Sequence, residues 1–331
     1  MSAVSGQELK ELQSKGLFNV FSDAQPTFTA QNINVPSGFL GNLQKQAVFN
    51  ILNARTGDLA LGGREKLLDW SETDKYIPLI ERTGQTTPYS DFGMPLESGA
   101  NFDFNRVGHY RFSSAYSVGD LMQSQFSKLN WDYENIVINA STEALAVELN
   151  RVAFNGYIDN SSQSFLCYGL LNNPNLSNYQ NVDKTFNEST WEEIVGFFGN
   201  AIGELVTQSG NNINGFSRIR VVISASAFAV LQGTFTSMGI NLLKSIQDAY
   251  PYLEFVSANE LDNAYNDDNV AYFIGENENG GVSDTTKLGY SELALFSNIE
   301  MSYYSKSQAI SCGTIGALVY KPLYIVRFNG I

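Results

Sequence analysis

Residues 131–156 read WDYENIVINASTEALAVELNRVAFNG, and how this stretch folds decides the architecture. Ile136, Ala140, Ala144, Val147 and Arg151 recur at the spacing of one helix face. The helix starts near Asn130 or Asp132. Asn155-Gly156 ends it, since glycine readily takes the left-handed conformation of a helix stop. At about 1.5 Å per residue the helix is roughly 36 Å long, which is long for a core helix in a chain of this size.

Upstream, Ser117 can cap a shorter helix that carries Asp120 in its first turn and runs to about Lys128. Residues 76–114 read as a long β-hairpin. Ile77, Leu79, Ile80 and Tyr89 lie on the way out, and Phe102, Phe104, Val107, Tyr110 and Phe112 on the way back. Phe102-Asp103-Phe104-Asn105 and Tyr110-Arg111-Phe112-Ser113 alternate with the period of half-buried strands. Gly93, Pro95, Ser98 and Gly99 suit the turn between them. A two-stranded arm has too little core to stand alone, so it has to lie on something, such as a neighbouring subunit. Residues 1–65 read as an extended arm, with apolar patches at Phe18–Phe21 and Phe39–Leu40 and room for a short amphipathic helix around Glu8–Leu17.

Downstream, Gly156–Asp183 is loop-like and rich in Asn. Thr190 caps a helix over Trp191–Gln208, with Glu192 and Glu193 well placed in its first turn. Arg218–Ile223 reads as a strand, Ser224–Leu231 as a short helix, and Ser237–Tyr250 as a helix stopped by Pro251. Leu253–Val256 and Val270–Ile274 read as strands, and 286–331 as several more, the last being Leu318–Phe328. The order is arm, hairpin, long helix, mixed α/β module, then strands.

Composition narrows the function. With 43% hydrophobic and 16% charged residues the chain is no disordered polymer. Its 34 acidic and 20 basic side chains give a net charge of −14, the wrong sign for a reader of nucleic acid. Two Cys are too few for a disulfide scaffold, and Cys167 and Cys312 are expected as reduced, partly buried thiols. One His cannot build a multi-His metal site. The strongest apolar run, Val221–Leu231, is about half a membrane span, and the N-terminus lacks a secretory pattern, so a soluble, cytoplasmically made protein is expected.

Catalytic signals are sparse. No phosphate loop or dinucleotide fingerprint occurs, and Gly275–Gly281, GENENGG, lacks a lysine and reads as a turn. No G-x-S-x-G elbow is present. Any triad has to use His109, which sits at the hairpin's return and reads as a solvated or interface histidine. Asp262, Asp267 and Asp268 lie close together but lack the spacing of a calcium loop. Between Ser245 and Thr286 there is no Lys or Arg, yet Asp248, Glu254, Glu260, Asp262, Asp267, Asp268, Glu276, Glu278 and Asp284 all fall there. This stretch is either a solvated acidic surface or an edge that meets basic groups or bridging cations on a partner.

Three segments together resemble the tailed-phage major capsid proteins of the HK97-like fold. They are Tyr116-Ser117-Val118-Gly119-Asp120-Leu121, the helix end Asn150-Arg151-Val152-Ala153-Phe154-Asn155-Gly156, and Tyr168-Gly169-Leu170-Leu171-Asn172-Asn173-Pro174-Asn175. The closing block Gly313–Ile331 is similar to their last strands. The resemblance implies an α+β fold with 1–65 as N-arm and 76–114 as E-loop hairpin laid on an adjacent subunit. It implies a peripheral domain from 116–215 plus 301–331, with the spine helix at 131–155, and an axial domain from 216–300.

On that reading Phe18, Phe21, Tyr89, Phe102, Phe104, His109, Tyr110 and Phe112 are intersubunit contacts. Glu254, Glu260, Asp262, Asp267, Asp268, Glu276 and Glu278 form an acidic axial surface. The implied partners are further copies in pentamers and hexamers, packaged double-stranded DNA held without sequence-specific contacts, and portal, scaffold and decoration proteins. No cofactor, membrane or catalysis is implied, and the place of action is a virion assembled in bacterial cytoplasm.

Some members of the fold make Lys–Asn crosslinks through an E-loop lysine. Here no Lys lies between Tyr76 and Ser127, so a non-covalent shell is expected. The short stretch ahead of the hairpin favours a separate scaffold protein over a long built-in one. The alternatives are an encapsulin-type compartment shell and, from another class, a hydrolase or carbohydrate-binding protein.

Overall fold

The computed structural model describes residues 55–331, except 85, 88–90, 92–93, 95–96, 98, 129–130, 160–163, 215–216, 238 and 277–284. Nearly all of the expected arm, with Phe18 and Phe21, lies outside the described residues, as do Tyr89, Glu278 and Asp284.

The described chain opens with one helical turn, α1 (Gly57–Ala60), and a short strand, β1 (Arg64–Lys66). Two ten-residue strands, β2 (Asp74–Thr83) and β3 (Gly99–Gly108), pair antiparallel from Asp74 opposite Gly108 out to Thr83 opposite Gly99. Among the described residues they pair with no third strand. β4 (Tyr110–Gly119), α2 (Asp120–Ser127) and the long α3 (Tyr133–Asn155) follow. The Asp132 side chain caps α3 by accepting the Asn135 amide at 3.3 Å. Gly156, at φ +65°, ends it, and a Cβ there would stand 2.5 Å from the Cys167 carbonyl oxygen.

The rest of the chain runs β5 (Tyr157–Asp159), β6 (Ser164–Cys167), β7 (Gln180–Asn181), α4 (Trp191–Gln208) and β8 (Arg218–Ser224). Next come α5 (Ala225–Gly233), α6 (Leu242–Ala249), β9 (Leu253–Ala258) and β10 (Val270–Glu276). The last elements are β11 (Thr286–Tyr290), β12 (Leu295–Phe296), β13 (Glu300–Ser302), β14 (Ser305–Val319) and β15 (Ile325–Asn329). Thr190 and Glu193 form a reciprocal capping box at the start of α4, which fixes that helix where the sequence puts it.

Two sheets carry the fold. The 15-residue β14 is the spine of a six-stranded sheet, pairing with β4, β11, β12 and β13. A five-stranded sheet runs β7-β15-β10-β8-β9. Its three central strands, β15, β10 and β8, are buried almost throughout because both faces are covered. Ile219, Val221, Ile223, Ala271 and Phe273 face α4, α5 and α6 in one core. Val222, Tyr272 and Ile274 belong to a second core with Leu145, Leu149 and Ala153 of α3.

Four expectations need correction. The return strand of the hairpin stops at Gly108. Tyr110 and Phe112 lie in β4, which pairs with β14 over ten residues of the body. The expected helix Ser237–Tyr250 shortens to α6, because Gly239 turns at φ +75° and the Asn241 side chain caps at Lys244. The expected strand Leu318–Phe328 divides, because Pro322 opens a single 3-10 turn between β14 and β15, which lie in different sheets. The shorter helix before α3 starts at Asp120 with Gly119, not Ser117, at its N-cap, because residues 110–119 are held as strand.

Candidate assembly surfaces

The sequence motifs converge on the end of α3. The Leu170 amide donates to the Ala153 carbonyl at 3.0 Å, and the Leu171 amide to the Phe154 carbonyl at 2.9 Å. These carbonyls have no partner inside the helix, so the Gly-Leu-Leu-Asn segment supplies one. A Cβ at Gly169 would fall 2.1 Å from the Phe154 oxygen, so only glycine allows that approach. This is a structural joint rather than a reactive site.

The hairpin is where apolar surface is left bare. Cross-strand pairing places Pro78 opposite Phe104 and Tyr76 opposite Arg106, with Phe102 two residues along on the same face. Phe102 is 67% and Phe104 62% exposed, and Tyr76 and Met94 are exposed too. Among the described residues the hairpin touches the body at its root, where Val107 and Ile77 join a small core with Leu68, Val152 and Ile315. Of the expected contact residues that the structure describes, Phe102 and Phe104 are thus brought together on a free-standing face.

His109, Tyr110 and Phe112 are not part of it. His109 is 6% exposed inside its own chain, with Nδ1 2.7 Å from the Glu72 carbonyl and Nε2 2.8 Å from Ser291 Oγ. Of the expected solvated or interface histidine, the solvated reading is corrected to a buried, bonded one. β3 ends at Gly108, one residue before His109, and the imidazole lies in the body. Tyr110 stacks on Tyr157 at 3.7 Å and is held by Glu148, and burial with that carboxylate pushes its phenol far up. Phe112 packs against the core that contains α3.

A second bare surface escaped the sequence reading. β13 and β14 are joined by a tight turn at Tyr303 and Tyr304, and Tyr303 is 96% exposed. Met301, Ile299 and Phe296 beside it are also exposed, as are Leu121 and Met122 of α2. The Asp120 amide donates to the Tyr304 carbonyl at 2.9 Å, which ties α2 to this turn. Two consecutive tyrosines in a hairpin turn (MSYYSKS) were the available signal, since turns ordinarily carry small polar residues.

Among the described residues the acidic stretch does not form one continuous surface. Glu254 is exposed and pairs with Arg218. Glu260 is half-buried and accepts from the Asn150 side chain of α3. Asp262 caps α5 by accepting from the Ser226 amide at 3.1 Å and hydroxyl at 2.8 Å. Asp267 and Asp268 are exposed in a loop where Asn263, Asn266 and Asp267 have positive φ. Glu276 is corrected from surface to core: it is 2% exposed and forms an ion pair with Arg220, itself 4% exposed. β10 is buried on both faces, so its last residue has nowhere else to point. Among the described residues no three His, Cys, Asp or Glu stand close enough to hold a metal ion. No described helix is long and apolar enough to cross a membrane. Both cysteines are buried and unbridged, and burial pushes the Cys167 thiol up to about 12 and Cys312 to about 11.

Solved structures share this fold. The capsid of Myoviridae phage XM1 matches with a TM-score of 0.72 at 10% identity, over 89% of this chain and 98% of that one. Mycobacterium phage Ogopogo matches with a TM-score of 0.58 at 10% identity, over 90% and 99%. The capsid of an empty GTA particle matches at 0.56 and 11% identity, over 91% and 99%. The α+β, HK97-like capsid fold expected from the sequence is therefore the fold observed. A search of curated proteins gives no match. A family model described as "Pa193 gp26 major capsid protein" matches residues 26–330, and the chain belongs to that family of phage major capsid proteins.

Proposed function

We propose that copies of this chain assemble as pentamers and hexamers into an icosahedral, non-covalent shell that encloses double-stranded DNA. The observation that carries this reading is the two-stranded hairpin β2–β3, which presents Phe102, Phe104 and Tyr76 to solvent in a chain of a major capsid family. Burying such a face is worth about 25 cal/mol per Å² of apolar area, and only another copy offers a surface in every particle. The hairpin serves as the E-loop strap and residues 1–65 as the N-arm. Residues 116–215 with 301–331 serve as the peripheral domain around α3, and 216–300 as the axial domain. The tyrosine turn at 303–304 adds a second contact.

The role is mechanical rather than catalytic, within a virion assembled in the bacterial cytoplasm. Portal, scaffold and decoration proteins are its expected company. The DNA needs no sequence-specific contact, because a shell confines it mechanically.

Electron microscopy of purified particles, with nucleic-acid analysis of their contents, tests the reading. Uniform polygonal shells containing double-stranded DNA are expected. Shells holding a protein cargo and no nucleic acid would indicate a compartment instead. Stable monomers under every condition would overturn both.

A further inference from the structure

His109 is the one histidine in the chain, and it sits where the hairpin joins the body. β3 ends at Gly108, and residues 70–73 lead directly into β2. The His109 amide donates to the Thr73 carbonyl at 2.9 Å. Its ring reaches Glu72 on one side and Ser291 on the other. A carbonyl oxygen only accepts, so Nδ1 carries the hydrogen, and Nε2 of the neutral ring receives the Ser291 hydroxyl hydrogen. Trp70 meets the imidazole edge-on at 6.0 Å. From β14, Gly313 closes the site. A Cβ there would stand 2.2 Å from Ser291 Oγ and 2.4 Å from Nε2.

We propose that His109 is a proton-operated latch at the root of the hairpin. Neutral, it clamps residues 70–73 to the body; protonated, it lets them go. A proton on Nε2 turns that acceptor into a donor, so the Ser291 hydroxyl has to turn its own hydrogen elsewhere. The new charge sits on a ring only 6% exposed. The surrounding charges act in opposite directions, with the Glu72 carboxylate attracting it and Arg111 repelling it. Arg111 of β4 is a like charge, already donating to the carbonyls of Trp70 at 3.0 Å and Glu72 at 2.5 Å.

The nearby carboxylates are engaged. Glu72 accepts the Asp69 amide, Asp74 holds Arg106, and Glu292 holds Lys66, which Asp69 also faces. β14 presents only Gly313. Burial, reinforced by Arg111 and opposed by both the carbonyl and the carboxylate of Glu72, pulls the imidazole below its ordinary 6.5. The unfolded segment therefore takes up a proton before the folded one. The clamp is at full strength above about pH 6.5 and weakens as pH falls through the lower value of the folded ring.

The consequence for a shell rests on the strap reading above, whereas the latch belongs to a single chain. Hydrogen exchange of the full chain at about pH 7.5 and about pH 5.5, corrected for intrinsic rates, reads it directly. Protection of peptides covering 69–76 and 105–113 should fall by up to about tenfold between these two pH values, with α3 and β8–β10 unchanged. His109→Gln keeps a donor and an acceptor without titrating, and should flatten the profile. Ser291→Ala should raise the midpoint, because the neutral ring loses the hydroxyl that favours it. Root protection equal at both pH values, or an unchanged profile in His109→Gln, overturns the latch.

Should His109→Gln fail to fold, NMR titration of the single native imidazole decides. A ring that titrates below 6.5 in step with the root amides supports the latch, and one at or above 6.5, or out of step, overturns it. Failure of copies to assemble would remove the strap reading and leave this titration intact.

Discussion

Asn172 fastens the end of α3 to the loop that follows: its side-chain amide donates to the Asn155 carbonyl while its side-chain oxygen accepts the Gly169 amide at 2.8 Å. One asparagine thus closes a ring that includes the helix stop and the close approach of Gly169 to Phe154. Asn172→Ala removes two hydrogen bonds at a half-buried site and should cost about 1–2 kcal/mol. Gly169→Ala forces a methyl into the Phe154 carbonyl and should cost more, about 3 kcal/mol. Urea denaturation of the two variants beside the parent chain checks both the values and their order.

The same joint explains why much of the fold was legible. Phe154-Asn155-Gly156 and Gly169-Leu170-Leu171-Asn172 are local signals with a local physical job, so their spacing carries it. The start of α4 was legible for the same reason, since Thr190 and Glu193 sit three residues apart and cap each other. What escaped depends on distant partners. Nothing near His109 announces Ser291, which lies 182 positions away. The alternation of Tyr110 and Phe112 is real, but it cannot say whether the partner strand is β2 or β14. Glu276 reads like any other acid of its stretch until β8 places Arg220 beside it.

Phe102 and Phe104 stand clear of the body and should matter to assembly far more than to folding. A Phe102→Ser, Phe104→Ser chain should melt within about 0.5 kcal/mol of the parent, because neither ring has a core to leave. Its assembly should weaken at least about tenfold, since truncated aromatic anchors cost more than 1 kcal/mol each. Sedimentation velocity across a concentration series separates the two effects. A double variant that assembles like the parent would move the contact elsewhere, with the Tyr303–Tyr304 turn the next surface to substitute.

The stretch from Tyr76 to Ser127 contains no lysine, so beyond Lys75 at its root the hairpin offers no amine for an isopeptide crosslink. Particles boiled in denaturant should run as one band at the mass of the 36.5 kDa chain. A ladder of covalent oligomers would overturn the non-covalent shell and point to Lys75 at the hairpin root or to a lysine outside it.

Arg220 and Glu276 lie on neighbouring strands of the five-stranded sheet with both side chains almost wholly buried. Arg220 also donates to the Ala60 carbonyl at 3.4 Å, so the pair ties α1 to the sheet. Burial pulls the guanidinium down to about 10, which still leaves it charged at neutral pH. Taking two charges out of water is costly, and their mutual attraction does little more than offset that cost. Removing one partner is different, because the other is left charged in the core. Arg220→Met should therefore destabilise the chain by about 3–5 kcal/mol. Glu276→Leu should do so comparably, since the orphaned guanidinium keeps the Ala60 carbonyl and the more distant Glu254 charge but loses its buried partner. The double variant should recover most of that loss, because two apolar side chains of similar length restore packing with no charge to solvate. A thermodynamic cycle over the four chains measures the coupling. A double variant as unstable as the sum of the single ones would mean that shape at this site, rather than charge pairing, sets the cost.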